Sequence, residues 1–218
     1  NQAVCLKLSG LYNLPYMAIS MNWQKIFNLI KHRLSQVIGL YGFVLIPIWV
    51  MYFLNSTVLF NFWNALGIIP RSLSLNSLIG VTSSWTMHGN FSHLMGNTLV
   101  LVQILFLFGL FERNAYRTIV KLIIGSGLMT WGLGSPFSIH IGASGLIFAM
   151  LGYMIGGAVF AKRWGYLVAC ILMGASYWFI LKEGLMPQTG ISFAAHFGGL
   201  CIGLLIGANS KHYYGNNY

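Results

Sequence analysis

Gly142-Ala143-Ser144-Gly145 is the place in this sequence where a nucleophile could work. A serine at the start of a helix has unpaired backbone amides and the positive end of the helix dipole beside it, which suits an oxyanion formed on attack. Small neighbours let a substrate backbone come close. A candidate base is His196, within Ala195-His196-Phe197-Gly198-Gly199, and candidate donors are His93 and Asn97. His93 and Asn97 are four residues apart, so on a helix they share one face. Each has a plainer reading. A lone serine among small residues is more often a helix-packing residue, and a membrane histidine is often a satisfied hydrogen-bonder. His88 with His93 leaves a metal pair open, but a metal site wants more ligands, and thiolates or carboxylates are absent nearby. The expectation is therefore no metal and no cofactor.

The elements that must position these residues are set by composition. Of 218 residues, 57% are hydrophobic and 6% charged, and the mean hydropathy is +0.73, against roughly 25% charged in a soluble domain. This predicts an all-α polytopic membrane protein. Apolar stretches at 35–54, 91–111, 118–134, 143–160, 164–181 and 191–208 approach the roughly 20 residues that cross a bilayer as a helix. Six transmembrane helices result, the shorter ones needing neighbours to cover their ends. Cys5, Cys170 and Cys201 have no metal-like spacing.

The formal charge of +10 could suggest nucleic acid or anionic lipid. Lys7, Lys25, Lys31, Arg33, Arg113, Arg117, Lys121, Lys162, Arg163 and Lys211 fall in alternate connections or tails, and only Arg71 and Lys182 on the other side. That is a positive-inside pattern, placing both termini in the cytoplasm and leaving no basic run for nucleic acid. The expected organisation is a cytoplasmic N-terminal segment over 1–34, a six-helix membrane domain over 35–208 and a cytoplasmic tail over 209–218. Residues 1–20 lack a signal-peptide layout, fit an upstream extension ahead of Met21, and carry no functional argument.

With this topology the second, fourth and sixth spans run inward, and all the candidates lie near their outer ends. Asn97 lies about 24 Å above Arg113, Ser144 about 27 Å above Lys162 and His196 about 22 Å above Lys211, at 1.5 Å per residue. Polar groups are costly inside a membrane, so a shared depth on three helices points to a water-filled cavity opening outward. Gly199, Gly203 and Gly207 share a face with His196, and Gly145, Ala149, Gly152 and Gly156 offer a matching surface. The external segment from Asn55 to Gly89 holds Phe60, Phe62, Trp63, Leu66, Ile68, Ile69 and Trp85, too apolar for a free loop, and is expected to fold back as a partly embedded helical hairpin.

HGNFSHLMGN from His88 to Asn97, then Gly142 to Gly145, then Ala195 to Gly199, resemble in order and placement the signature elements of rhomboid intramembrane proteases. The resemblance covers roughly residues 35–208. It implies a six-transmembrane-helix rhomboid-like bundle, transmembrane proteins as substrates within the lipid of a bacterial inner membrane, and a Ser144–His196 dyad. His93, Asn97 and the Ser144 backbone N–H would form the oxyanion hole. The absence of any Asp agrees with a dyad lacking an acid. Glu112 would be structural, capping or pairing with Arg113 or Arg117. An inactive rhomboid-like protein that binds membrane segments is the alternative, and a transporter a more distant one. Two departures stand out. A Trp-Arg pair common in the family's first external loop is replaced by Ser77-Leu78-Ile79-Gly80, leaving Trp63, Arg71 and Trp85 to brace it. Phe148 stands where many members have a tyrosine against the histidine, which keeps ring stacking and loses a hydroxyl.

Overall fold

The computed structural model describes residues 23–187 and 190–210. The expected extension over 1–20, Cys5, Lys7, Lys211 and most of the tail lie outside the described residues. Among the described residues seven α-helices follow in order: α1 (Trp23–Phe53), α2 (Leu75–Ser83), α3 (Phe91–Phe111), α4 (Ala115–Leu133), α5 (Ser144–Val159), α6 (Trp164–Gly184) and α7 (Phe193–Ala208). Six of them fall on the six apolar stretches, and the architecture is an all-α membrane bundle. The stretch Trp23–Val58, α3 and α6 are long and apolar enough to cross a membrane. At 16 residues each, α5 and α7 are apolar but shorter. The chain divides into two units, residues 1–32 and 33–218, and everything below concerns the second. α1 continues through position 34, so the boundary expected there falls inside a helix.

α5 lies at the centre, with every residue from Gly145 to Met154 buried. A helix apolar on all sides is one surrounded by other helices. It runs parallel to α7 along the expected small-residue seam. A methyl group added at Gly199, Gly203 or Gly207 would strike the carbonyl oxygen of Gly145, Ala149 or Tyr153 respectively. The two backbones therefore touch at every turn, which only residues without bulky side chains permit.

The segment from Asn55 to Gly89 is built largely from short helical pieces. A π-turn (Leu54–Val58), two 3-10 turns (Phe62–Leu66 and Ser84–Thr86) and α2 make it up. α2 crosses α4 at Gly127, where an added methyl would hit the Val81 carbonyl. Of the three residues expected to brace the segment, Arg71 does so most directly. Its Nη2 donates to the Gly134 carbonyl at 3.0 Å, and its own N–H donates to the Trp131 carbonyl at 3.0 Å. Trp85 Nε1 donates within its own turn, to the Thr82 carbonyl at 2.8 Å, while the Trp63 N–H donates to Asn55 Oδ1 at 3.0 Å. Ser77, in the stretch that replaces the Trp-Arg pair, ties the segment to itself: its hydroxyl donates to the Ile69 carbonyl at 2.6 Å and accepts the Ile69 N–H at 3.0 Å.

Candidate active site

Each candidate residue is delivered by a helix start. Asn90 caps α3 by accepting the His93 N–H at 2.8 Å, and Ser192 caps α7 by accepting the Ala195 N–H at 3.2 Å. Such caps satisfy amides that a helix start leaves open. Ser144 is the first residue of α5, preceded by Gly142 at φ 118°, a backbone angle that glycine adopts without strain.

The structure brings Ser144 and His196 together. The Ser144 Oγ lies 2.7 Å from His196 Nε2, and His196 Nδ1 lies 2.6 Å from the Gly184 carbonyl oxygen. A carbonyl only accepts, so the imidazole proton sits on Nδ1 and the Nε2 lone pair faces the serine hydroxyl. In that tautomer the ring can take the serine proton. The Gly184 carbonyl, at the end of α6, thus occupies the orienting place that a carboxylate fills in a three-membered triad. α6 departs from helical geometry at Tyr177 (φ −131°, ψ 20°), just after Gly174-Ala175-Ser176, a glycine-serine grouping that commonly admits a kink. Phe148, one turn into α5, stacks on His196 with centroids 4.5 Å apart and planes 20° from parallel.

His93 and Asn97 border the backbone just ahead of Ser144. A Cβ built on Gly142 would lie 2.7 Å from His93 Nε2 and 3.6 Å from Asn97 Nδ2. Asn97 Nδ2 donates to His88 Nε2 at 2.9 Å, which fixes the amide and leaves its second N–H for the site. His88 precedes α3 and is buried. Burial foremost, then the neighbouring His93, pulls its pKa down to about 3, so it is the neutral acceptor this bond needs. The His88 and His93 rings meet edge to face at 5.0 Å. Among the described residues no group of three or more His, Cys, Asp or Glu is placed to hold a metal ion.

All four candidates line one cavity of about 740 Å³, which Ile180, Leu181 and Gly184 of α6 also line. The volume accommodates a few residues of unwound chain, within the usual range of ligand clefts.

Glu112 lies apart, at the other end of α3, and is buried. It caps the next turn by accepting the Asn114 N–H at 3.0 Å, as expected of it. It also makes an ion pair with Arg163 at 3.0 Å, a residue 51 positions away in the sequence. Tyr153 donates to it at 2.8 Å, and Tyr166 donates to the same oxygen. The Arg163 guanidinium lies 3.9 Å over the Tyr166 ring. A carboxylate can be buried here because both of its oxygens accept hydrogen bonds and one of them is paired with the Arg163 guanidinium.

The Rhomboid domain profile matches residues 75–211. Proteins of Mycobacterium bovis and Mycobacterium tuberculosis, both described as uncharacterized, are 32% identical over 147 residues, which is 62% of this chain and 60% of theirs. An uncharacterized protein of Mycobacterium leprae is 30% identical over 145 residues, 62% of this chain and 57% of its own. The chain thus spans about 60% of the length of the curated relatives it matches.

Proposed function

The chain belongs to the rhomboid family, and on that premise we propose that it is an intramembrane serine endopeptidase that hydrolyses peptide bonds in or near the transmembrane segments of other membrane proteins. The observation that carries this reading is the 2.7 Å contact between the Ser144 hydroxyl and His196 Nε2, in a cavity bordered by His93 and Asn97.

In the proposed mechanism a substrate segment unwinds into the cavity and presents a carbonyl to Ser144. Oγ attacks the carbonyl carbon as its proton passes to His196 Nε2. The Gly184 carbonyl supports the imidazolium through Nδ1–H. Negative charge on the substrate oxygen is met by the Ser144 N–H, Asn97 and His93, each such donor being worth about 3–4 kcal/mol in comparable sites. The C–N bond then breaks, His196 gives its proton to the leaving amine, and an acyl-serine remains. Water, activated by the same imidazole, hydrolyses that ester and restores the hydroxyl.

In the orientation we propose, six helices (α1 and α3 to α7) span a bacterial inner membrane, with α3, α5 and α7 running inward. The basic residues between α3 and α4 and between α5 and α6 then face the cytoplasm, and the cavity opens on the opposite side. α5 and α7, short for a full crossing, are sheltered by the helices around them. The test is cleavage of a transmembrane substrate by purified protein. Wild type cleaves while Ser144→Ala and His196→Ala do not. Cleavage that persists in Ser144→Ala overturns the assignment, and a wild type that binds the segment without cleaving it favours an inactive binding protein.

A further inference from the structure

The loop that delivers Ser144 carries a histidine that the mechanism above does not use. His140 lies four residues before Ser144, and Ser192 lies four residues before His196. These two meet: His140 Nδ1 is 2.6 Å from the Ser192 hydroxyl, and Nε2 is 2.8 Å from the Ser138 hydroxyl. The surrounding bonds fix their direction. Ser138 donates its hydroxyl proton to the Ser135 carbonyl at 2.6 Å, so toward His140 it accepts, and the imidazole proton sits on Nε2. Nδ1 is then the acceptor and Ser192 the donor. The Ser192 hydroxyl oxygen in turn accepts the Ala195 N–H, and its carbonyl accepts the His196 N–H at 3.1 Å.

One directed chain of hydrogen bonds therefore runs from the first turn of α7 through Ser192, His140 and Ser138 to the Ser135 carbonyl. It is anchored a second time, because the His140 backbone exchanges paired hydrogen bonds with Ile68 at 3.0 and 2.9 Å. Burial pulls the His140 pKa below its ordinary value, which favours the neutral ring that this chain of bonds requires. On the inner side of the dyad, α5 and α7 are held by backbone contact from Gly145 and Gly199 downward. On the outer side, His140 to Ser192 is a side-chain link between the two helix starts.

We propose that His140 is a positioning residue which, through Ser192, locks the first turn of α7 to the loop ahead of Ser144 and so sets the approach of His196 to the serine hydroxyl. This rests on reading Ser144 and His196 as a working dyad. A small misplacement of a base from its nucleophile lowers turnover more than binding.

The experiment measures kcat and KM for a transmembrane substrate with the full chain in detergent, alongside fluorophosphonate labelling of wild type. The variants are His140→Phe, which keeps ring volume, Ser192→Gly, which still serves as a helix cap, the double variant, and Ser192→Thr. Each of the first two is expected to lose on the order of tenfold in kcat with KM changed less than about twofold. The double variant should be no worse than the poorer single one, because both remove the same link, and Ser192→Thr should retain activity. Wild-type kcat in the single variants, or losses that multiply in the double, overturns the proposal. Should His140→Phe fail to fold, the contrast of Ser192→Gly with Ser192→Thr decides alone: equal kcat in the two overturns it. A wild type that neither cleaves nor labels sinks the dyad reading and this proposal with it, whereas an active wild type with unaffected variants sinks this proposal alone.

Discussion

Phe148 lies face to face with His196, 4.5 Å between ring centroids, so the imidazole is held by an apolar wall on one side while its two nitrogens point to Ser144 and Gly184. Phe148→Ala removes that wall and frees the ring to rotate. The expected result is a fall in kcat on the order of tenfold, consistent with the roughly 0.5–1.5 kcal/mol of aromatic stacking. Phe148→Tyr should stay close to wild type. Steady-state kinetics on one substrate distinguishes the two.

Gly184 is tested through bulk, since its working atom is a backbone oxygen. A Cβ there would sit 2.6 Å from Phe148 Cζ and 3.1 Å from His196 Nδ1. Gly184→Val should drive both rings away and lower kcat by about a hundredfold, on the scale of an ångström of misplacement. The thermal midpoint in detergent should fall too, on the scale of the roughly 1–3 kcal/mol of an overpacked buried site, so turnover is compared on the folded fraction. Turnover unchanged in Gly184→Val would remove the carbonyl from the mechanism.

Glu112 belongs to stability. Replacing it with Ala leaves Arg163 and two tyrosine hydroxyls facing a buried gap, at a cost of about 3–5 kcal/mol for a broken buried pair. The measurement is thermal unfolding in detergent. Molecules that remain folded should label at Ser144 at the wild-type rate, because Glu112 lies at the opposite end of α3 from His93 and Asn97.

Gly203→Leu tests the seam. The new side chain would be forced onto the Ala149 carbonyl, and since backbone rather than a mobile side chain must give way, the cost should exceed the 1–3 kcal/mol usual for overpacking. Loss of folded protein in size-exclusion chromatography is expected, with Gly203→Ala milder.

The sequence made the helices legible because six apolar stretches are hard to place elsewhere, and it made Ser144, His196, His93 and Asn97 conspicuous because polar groups are costly in such stretches. The seam of α5 and α7 was readable in small residues on one face of each helix, Gly199, Gly203 and Gly207 against Gly145, Ala149, Gly152 and Gly156. What escaped had no signature in residue type. The Gly184 oxygen that orients His196 belongs to the backbone. His140 lies in a loop between helices, where a polar side chain carries no signal. The pairing of Glu112 with Arg163 spans 51 positions, and nearer arginines offered themselves first. α1 starts at Trp23, earlier than hydropathy indicated, because Lys25, Lys31, His32 and Arg33 interrupt the apolar pattern there without breaking the helix.

A nucleophilic Ser144 activated by His196 should react with a fluorophosphonate probe, and peptide mapping of the treated protein reads this out. A single adduct on the Ser144 peptide is expected, strongly reduced in His196→Ala and absent in Ser144→Ala. Undiminished labelling of Ser144 without His196, or an adduct on another residue with Ser144 unmodified, would contradict it.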